Sequence, residues 1–201
     1  MLGLALVGLA AMSGARAQDA RGPAAPIQAL NDGLVAVMRA GKSTPFGDRF
    51  HTLAPTIDRA FDLPGILRVS VGLRWGDFDA SQQANLLKVF RTFTVASYVA
   101  NFDSYDGQRF EIAPSLRAVG TDQVVGTTIV PTSGDSDRID YVMRQEGAAW
   151  KVVDVLLDGT VSRVAVQRSD FRAELVKGGA PALIASLQRK VADLGGNSPE
   201  L

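Results

Sequence analysis

The sequence predicts an α+β domain, with helices packed on one side of a curved antiparallel sheet. Apolar residues recur at helical spacing before Gly107. Between Phe110 and Leu157 they alternate with a period of two, and helical spacing returns after Ser169. Runs of helices followed by runs of strands segregate into two layers rather than interleaving as βαβ units.

Each element follows from local signals. Ile27, Leu30, Leu34, Val37 and Met38 predict an amphipathic helix over 27–40, ended by Gly41. Residues 45–61 read as one or two short helical pieces broken at Pro55. Asp62-Leu63-Pro64 offers a helix start, with Asp62 as cap and Pro64 in the first turn. Asp79 and Gln82 stand three apart like a capping box. The helix they open carries Leu86, Leu87, Phe90, Phe93, Tyr98, Val99 and Phe102, so it is apolar around most of its circumference and is predicted to be buried. Lys88 and Arg91 mark its wet edge.

Four strands follow. They lie around Phe110–Ile112, Val124–Ile129, Ile139–Arg144 and Lys151–Leu157, separated by turn signals at Gly120-Thr121-Asp122, Ser133-Gly134-Asp135-Ser136 and Glu146-Gly147. Short connections predict an antiparallel meander. Two C-terminal helices, 169–177 and 181–194, flank a Gly178-Gly179 break, and residues 195–201 read as a disordered tail.

Residues 2–12 are an apolar run of signal-peptide length, too short to span a bilayer, followed by Ala15-Arg16-Ala17 as an A-x-A site. The division expected is signal peptide 1–17, flexible leader 18–26 and one domain over 27–194, exported to the periplasm as a soluble protein. The positive n-region usual in such signals does not precede the run, so either the start codon is placed too late or the signal is weak.

Composition narrows the chemistry. Apolar residues make up 46% of the 201, enough for a real core. Basic and acidic residues number 21 each, so the excess that drives nucleic-acid binding is missing. No local basic cluster of the kind that holds a protein on anionic lipid is visible in the sequence. There is no cysteine, which excludes disulfides, thiolate metal sites and cysteine nucleophiles. Neither phosphate-loop nor metal-ligand spacing occurs, and no cofactor or metal is expected. The only histidine, His51, falls in a region read as loop-rich and has no partner by spacing.

Asp154, between Val153 and Val155, would suit a general base on a cone-shaped fold if its carboxyl were desolvated, with Asp158 as a second choice. The simpler reading has Asp154 accepting backbone or arginine hydrogen bonds or facing water, and Asp158 turning the chain beside Gly159. A binding pocket needs only apolar walls. Leu87, Phe90 and Phe93 on the long helix are candidate lining residues. Val142, Val153, Val155 and Leu157 are candidates for the opposing wall, and Leu67 and Val71 for the mouth. A fully packed interaction module is the third alternative.

Six blocks in order carry a resemblance. They are Val71-Gly72-Leu73-Arg74-Trp75, Asp79-Ala80-Ser81-Gln82-Gln83 with Phe90 beyond it, and Tyr105-Asp106-Gly107-Gln108-Arg109-Phe110. Trp150-Lys151-Val152-Val153-Asp154-Val155, Arg168-Ser169-Asp170-Phe171 and Gly178-Gly179-Ala180-Pro181-Ala182-Leu183 complete the set. Together they resemble the MlaC family of periplasmic phospholipid-binding proteins, auxiliary to ABC transporters, over roughly residues 26–194. Leu157-Asp158-Gly159-Thr160-Val161-Ser162 departs from the family's usual form and is more similar to the hopanoid-associated HpnM branch. The resemblance implies an NTF-two-like cone of strands wrapped by helices, and a lipid carrier rather than an enzyme. Its ligand would be a phospholipid or hopanoid. Its partners would be an inner-membrane MCE-domain ring with its ABC transporter, and an outer-membrane lipoprotein complex.

If the export reading is correct, N-terminal sequencing of periplasmic protein will begin at Gln18. Retention of Leu2–Met12 in the mature protein would contradict it.

Overall fold

The computed structural model describes residues 22–195. The predicted signal peptide, residues 18–21 of the leader and residues 196–201 of the tail lie outside the described residues.

Helices α1 (Ala24–Ala40), α2 (Phe46–Ala60), α3 (Leu63–Val71) and α4 (Ala80–Asn101) come first, with a 3₁₀ segment at Gly72–Asp77 between α3 and α4. Strands β1 (Arg109–Ile112), β2 (Arg117–Val119), β3 (Asp122–Val130), β4 (Asp137–Glu146), β5 (Ala149–Leu157) and β6 (Val161–Ser162) follow, and α5 (Arg163–Gly195) closes the domain. The antiparallel order is β1-β3-β4-β5-β6, with β2 also on β3. The four predicted strands are therefore the meander β1, β3, β4 and β5. The two short strands were not anticipated, since three and two residues are too few to show a period.

The helix starts are set by side chains. Asp62 accepts from the backbone N–H of Gly65 at 2.9 Å, with Pro64 in the first turn of α3. A side chain at Gly65 would collide with the Asp62 carboxylate, so glycine is the residue that fits under this cap. The Asp79–Gln82 capping box opens α4, with bonds of 2.8 and 3.2 Å.

Four expectations are corrected. Residues 46–60 form one continuous helix despite Pro55, not two pieces. Proline removes the bond that the His51 carbonyl would accept, but both residues lie on the exposed face, where water can substitute. His51 is thus helical rather than in a loop, and packs edge-on against Phe50. Helix α1 begins at Ala24, three residues before the predicted start, because Pro23 suits a helix N-terminus. The C-terminal pair is also longer: α5 starts at Arg163, with its two limbs separated at Gly178 and Gly179.

The core lies between the helices and one face of the sheet. Ile27, Leu30 and Leu34 of α1, Leu53 and Ile57 of α2, and Leu86 and Val95 of α4 meet Val125, Tyr141, Met143 and Val152 of the sheet. Arg49 ties α2 to α4 by donating to the carbonyl of Val99, and Arg91 grips Asp58 with two bonds of 2.7 Å. Lys151 donates to the carbonyls of Asp58 and Arg59 at the C-terminal end of α2, fixing that helix on β5. On the other face, Asp140 is fully buried, gripped by Arg138 at 2.9 and 2.8 Å and approached by Arg117.

Candidate functional site

Helix α4 presents more apolar surface than the core uses. Leu86, Val89, Val95, Ala96 and Val99 are buried in packing. A second stripe, Phe90, Phe93 with Thr94, Ser97 with Tyr98, and Asn101, repeats every three to four residues and faces a cavity of about 320 Å³. Leu63 and Ile66 of α3, Ile139 of β4, Val155 and Leu157 of β5, and Val164 of α5 form other walls. Phe61 and Phe102 also line it. Leu157 and Arg163 are exposed, so the cavity opens beside the start of α5.

The hydroxyls of Thr94 and Ser97 and the amide of Asn101 in this wall are bonded to their own helix. Thr94 and Ser97 donate their hydroxyls to the carbonyls of Phe90 and Phe93, four residues back, at 2.9 and 2.7 Å. Asn101 donates to the carbonyl of Ser97 at 2.8 Å. Such back-bonding leaves mainly carbon to face the cavity. Aromatic contacts brace the wall: Phe61 meets Tyr98 edge-on, Tyr98 stacks on Phe102, and Phe90 meets Phe171 edge-on. Burial pushes the Tyr98 phenol well above its ordinary value, against an opposing pull from the Arg163 charge. Tyr141 behind it is raised in the same direction, again mainly by burial. Both phenols therefore stay neutral at ordinary pH.

Asp154 borders the cavity, but its oxygens are occupied. It accepts from Ser162 Oγ at 2.5 Å, from the N–H of Val155 at 2.7 Å and from the N–H of Val164 at 3.1 Å. Ser162 Oγ in turn accepts from the N–H of Ala165 at 2.9 Å. Asp154 and Ser162 thus cap the first turn of α5 together and anchor that helix to β5. Asp158 sits in the β5–β6 turn at φ +51°, where its N–H donates to the Arg138 carbonyl, and it does not line the cavity. His51 is exposed on α2 and also lies away from it.

Of the nine residues singled out as lining, Phe90, Phe93, Val155 and Leu157 are in the cavity wall. Leu67, Val71, Leu87, Val142 and Val153 are not. Leu67 and Val71 are buried in the core and take no part in the cavity wall, although Leu67 stands one turn beyond the cavity-lining Leu63. Leu87 packs at the core's edge. Val142 pairs with Asp154 across the ladder, whereas Tyr141 pairs with Val155, so Val142 occupies the alternate sheet face. Val153 falls in the register shift of β5 and has no opposite residue. Ser97, Tyr98 and Asn101 were missed, although their spacing from Phe90 was visible in the sequence. Phe61, Ile66 and Val164 were missed because only tertiary packing brings them there.

The MlaC protein family model matches residues 28–189 of this chain. The chain belongs to the MlaC family. Among solved structures, this MlaC-family protein is similar to the phospholipid-binding protein from Ralstonia solanacearum, which was determined in complex with a phospholipid. The two share 22% identity with a TM-score of 0.72, over 85% of this chain and 97% of the other. No curated protein matches the chain. The shared architecture is helices around an antiparallel sheet, the fold class expected from sequence periodicity.

The cap predicts a stability effect without a chemical one. Asp154→Ala should lose about 1–3 kcal/mol in urea unfolding, because two N–H groups and the Ser162 hydroxyl lose their acceptor. Unchanged stability would contradict the capping role.

Proposed function

We propose that this MlaC-family protein is a periplasmic lipid carrier that takes a lipid's hydrocarbon into the α4 cavity and leaves the polar head at the mouth. The observation that carries the reading is the cavity wall: mainly apolar and aromatic, with Thr94, Ser97 and Asn101 turned back onto the helix that bears them. Such a wall is suited to hydrocarbon and provides little for a polar substrate. The phospholipid in the Ralstonia solanacearum structure supports the same ligand class.

The physical need is large. A two-chain lipid hides about 30 methylenes, and exposing them to water costs on the order of 25 kcal/mol at ~0.8 kcal/mol each. Spontaneous passage between two membranes through an aqueous compartment is therefore negligible. A soluble cavity can substitute for the bilayer during transit. That task requires no nucleophile, base or metal, and Asp154, the best-placed carboxylate, is engaged in holding α5. Within the described residues, no helix is long and apolar enough to cross a membrane. In this proposal the protein is exported after cleavage at Ala17. It exchanges a phospholipid or hopanoid with an MCE-domain ring and ABC transporter at the inner membrane, and with a lipoprotein complex at the outer membrane. ATP is consumed by the transporter.

Organic extraction and mass spectrometry of the purified protein will yield about one lipid per chain and identify its class. Placing a charge in the wall separates cavity from core. Val155→Glu and Leu157→Glu should give folded, monodisperse protein with at least a severalfold loss of bound lipid, because a charge is costly to desolvate against acyl chains. Leu67→Glu should instead unfold the domain, since Leu67 is fully buried in packing. Folded Val155 and Leu157 variants that keep their full lipid complement would refute the cavity assignment.

A further inference from the structure

Two side-chain stripes begin in the cavity wall and run out onto the surface. On α3, Val69 stands one turn beyond the cavity-lining Ile66 and is 53% exposed. On α5, Val166 stands one turn beyond the cavity-lining Arg163 and is 43% exposed. The helices are joined where Ser70 approaches Gln167, another lining residue. Past the end of α3 the chain turns at Gly72, φ +70°, and extends Leu73 into solvent with 98% of its surface exposed. No core contact accounts for a leucine in that position, and an apolar tip of this kind indicates an interaction.

The charge around these residues has one predominant sign. Arg68 on α3 and Arg163, Arg168 and Arg172 on α5 are exposed, and their guanidinium groups make no hydrogen bond or ion pair with another described residue. The Arg168 guanidinium lies beside Gly72, next to Leu73. The acidic groups on these elements are partly countered: Asp77 faces Arg74 at 3.8 Å, Asp170 faces Lys190 at 4.0 Å, and Glu174 is bonded to Lys177. Packing α3 against α5 brings Arg168 beside Gly72 at the end of α3, one turn beyond Arg68.

We propose that this face, resting on the carrier reading, docks the cavity mouth directly on an anionic lipid bilayer. Leu73 and Val69 enter the headgroup boundary, and Arg68, Arg163 and Arg168 meet lipid phosphates. The arginines fit negatively charged headgroups. On α3, Ile66 and Val69 place apolar side chains between bilayer and cavity for a hydrocarbon chain to follow.

The test is co-sedimentation of the mature protein with phosphatidylcholine vesicles, with and without phosphatidylglycerol. Bound lipid is measured by extraction from the same preparations. The protein should bind the phosphatidylglycerol vesicles, bind neutral ones far less, and be released by high salt. Arg68→Gln with Arg168→Gln should weaken binding about fivefold per arginine. Leu73→Asp should weaken it as well, whereas Arg109→Gln on β1 should not. Since these side chains are exposed and unpaired apart from Arg109, which faces Glu111, the variants should keep their fold, as circular dichroism will check.

Equal binding to both vesicle types, or variants that bind like the parent, would overturn the proposal. Self-association that depends on Leu73, without vesicle binding, would assign the face to a second copy and overturn it too. Lipid-loaded protein that ignores vesicles leaves the carrier standing without the docking face. Vesicle binding as described by protein that holds no lipid refutes the carrier alone.

Discussion

The structure depends on helix α4 being apolar on two faces while the rest of the fold packs only one of them. Leu86, Val95, Ala96 and Val99 close the core against the surrounding helices and the sheet. The stripe from Phe90 through Tyr98 to Asn101 is left facing β5, α3 and the start of α5 across open space. Closing that space would require α5 to approach α4 near its first turn, and the Asp154–Ser162 cap holds that turn on the sheet instead. A capping interaction of ordinary strength thereby maintains a cavity whose walls would otherwise tend to collapse, because apolar surfaces attract.

Carboxylates in this protein are used mainly to position helices. Asp62, Asp79 and Asp154 each occupy helix N-terminal N–H groups, where the negative charge also suits the helix dipole. Asp58 and Asp140 are held by arginines in bidentate pairs. The hydroxyls of Thr94 and Ser97 are bonded to their own helix. What remains at the cavity is mainly carbon, with the Arg163 charge at its rim. This division suits transport, which needs a low-energy place for hydrocarbon and an exit from it, and gives an attacking group no role.

Much of this was legible in the sequence, for physical reasons that differ by element. The period of two in β3, β4 and β5 reflects a sheet with one face on the core, so strands and meander order followed directly. The caps at Asp62 and Asp79 were readable because a cap is local. Pro55 misled, since a proline on an exposed helix face costs less than one whose lost bond is buried. The cavity was only half visible. Phe90 and Phe93 share a stripe that spacing reveals. Leu67, however, stands one turn beyond the cavity-lining Leu63 and is nevertheless buried in packing, so spacing along α3 does not separate wall from core. Val153 lies outside the cavity wall, where a register shift in β5 interrupts the alternation along the strand. The capping role of Asp154 is not legible locally, because its partner Ser162 lies eight residues away.

The central claim is that hydrocarbon occupies the space between α4 and β5. Photo-cross-linking with a phospholipid carrying a diazirine at the end of one acyl chain tests it most directly, with peptide mapping of the labelled sites. The account predicts labels on the cavity stripe of α4, at Phe93, Ser97 or Tyr98, and on Val155. Labels confined to the grooves beside α1, at Gln28 and Leu116 or at Thr56 and Trp150, would contradict it.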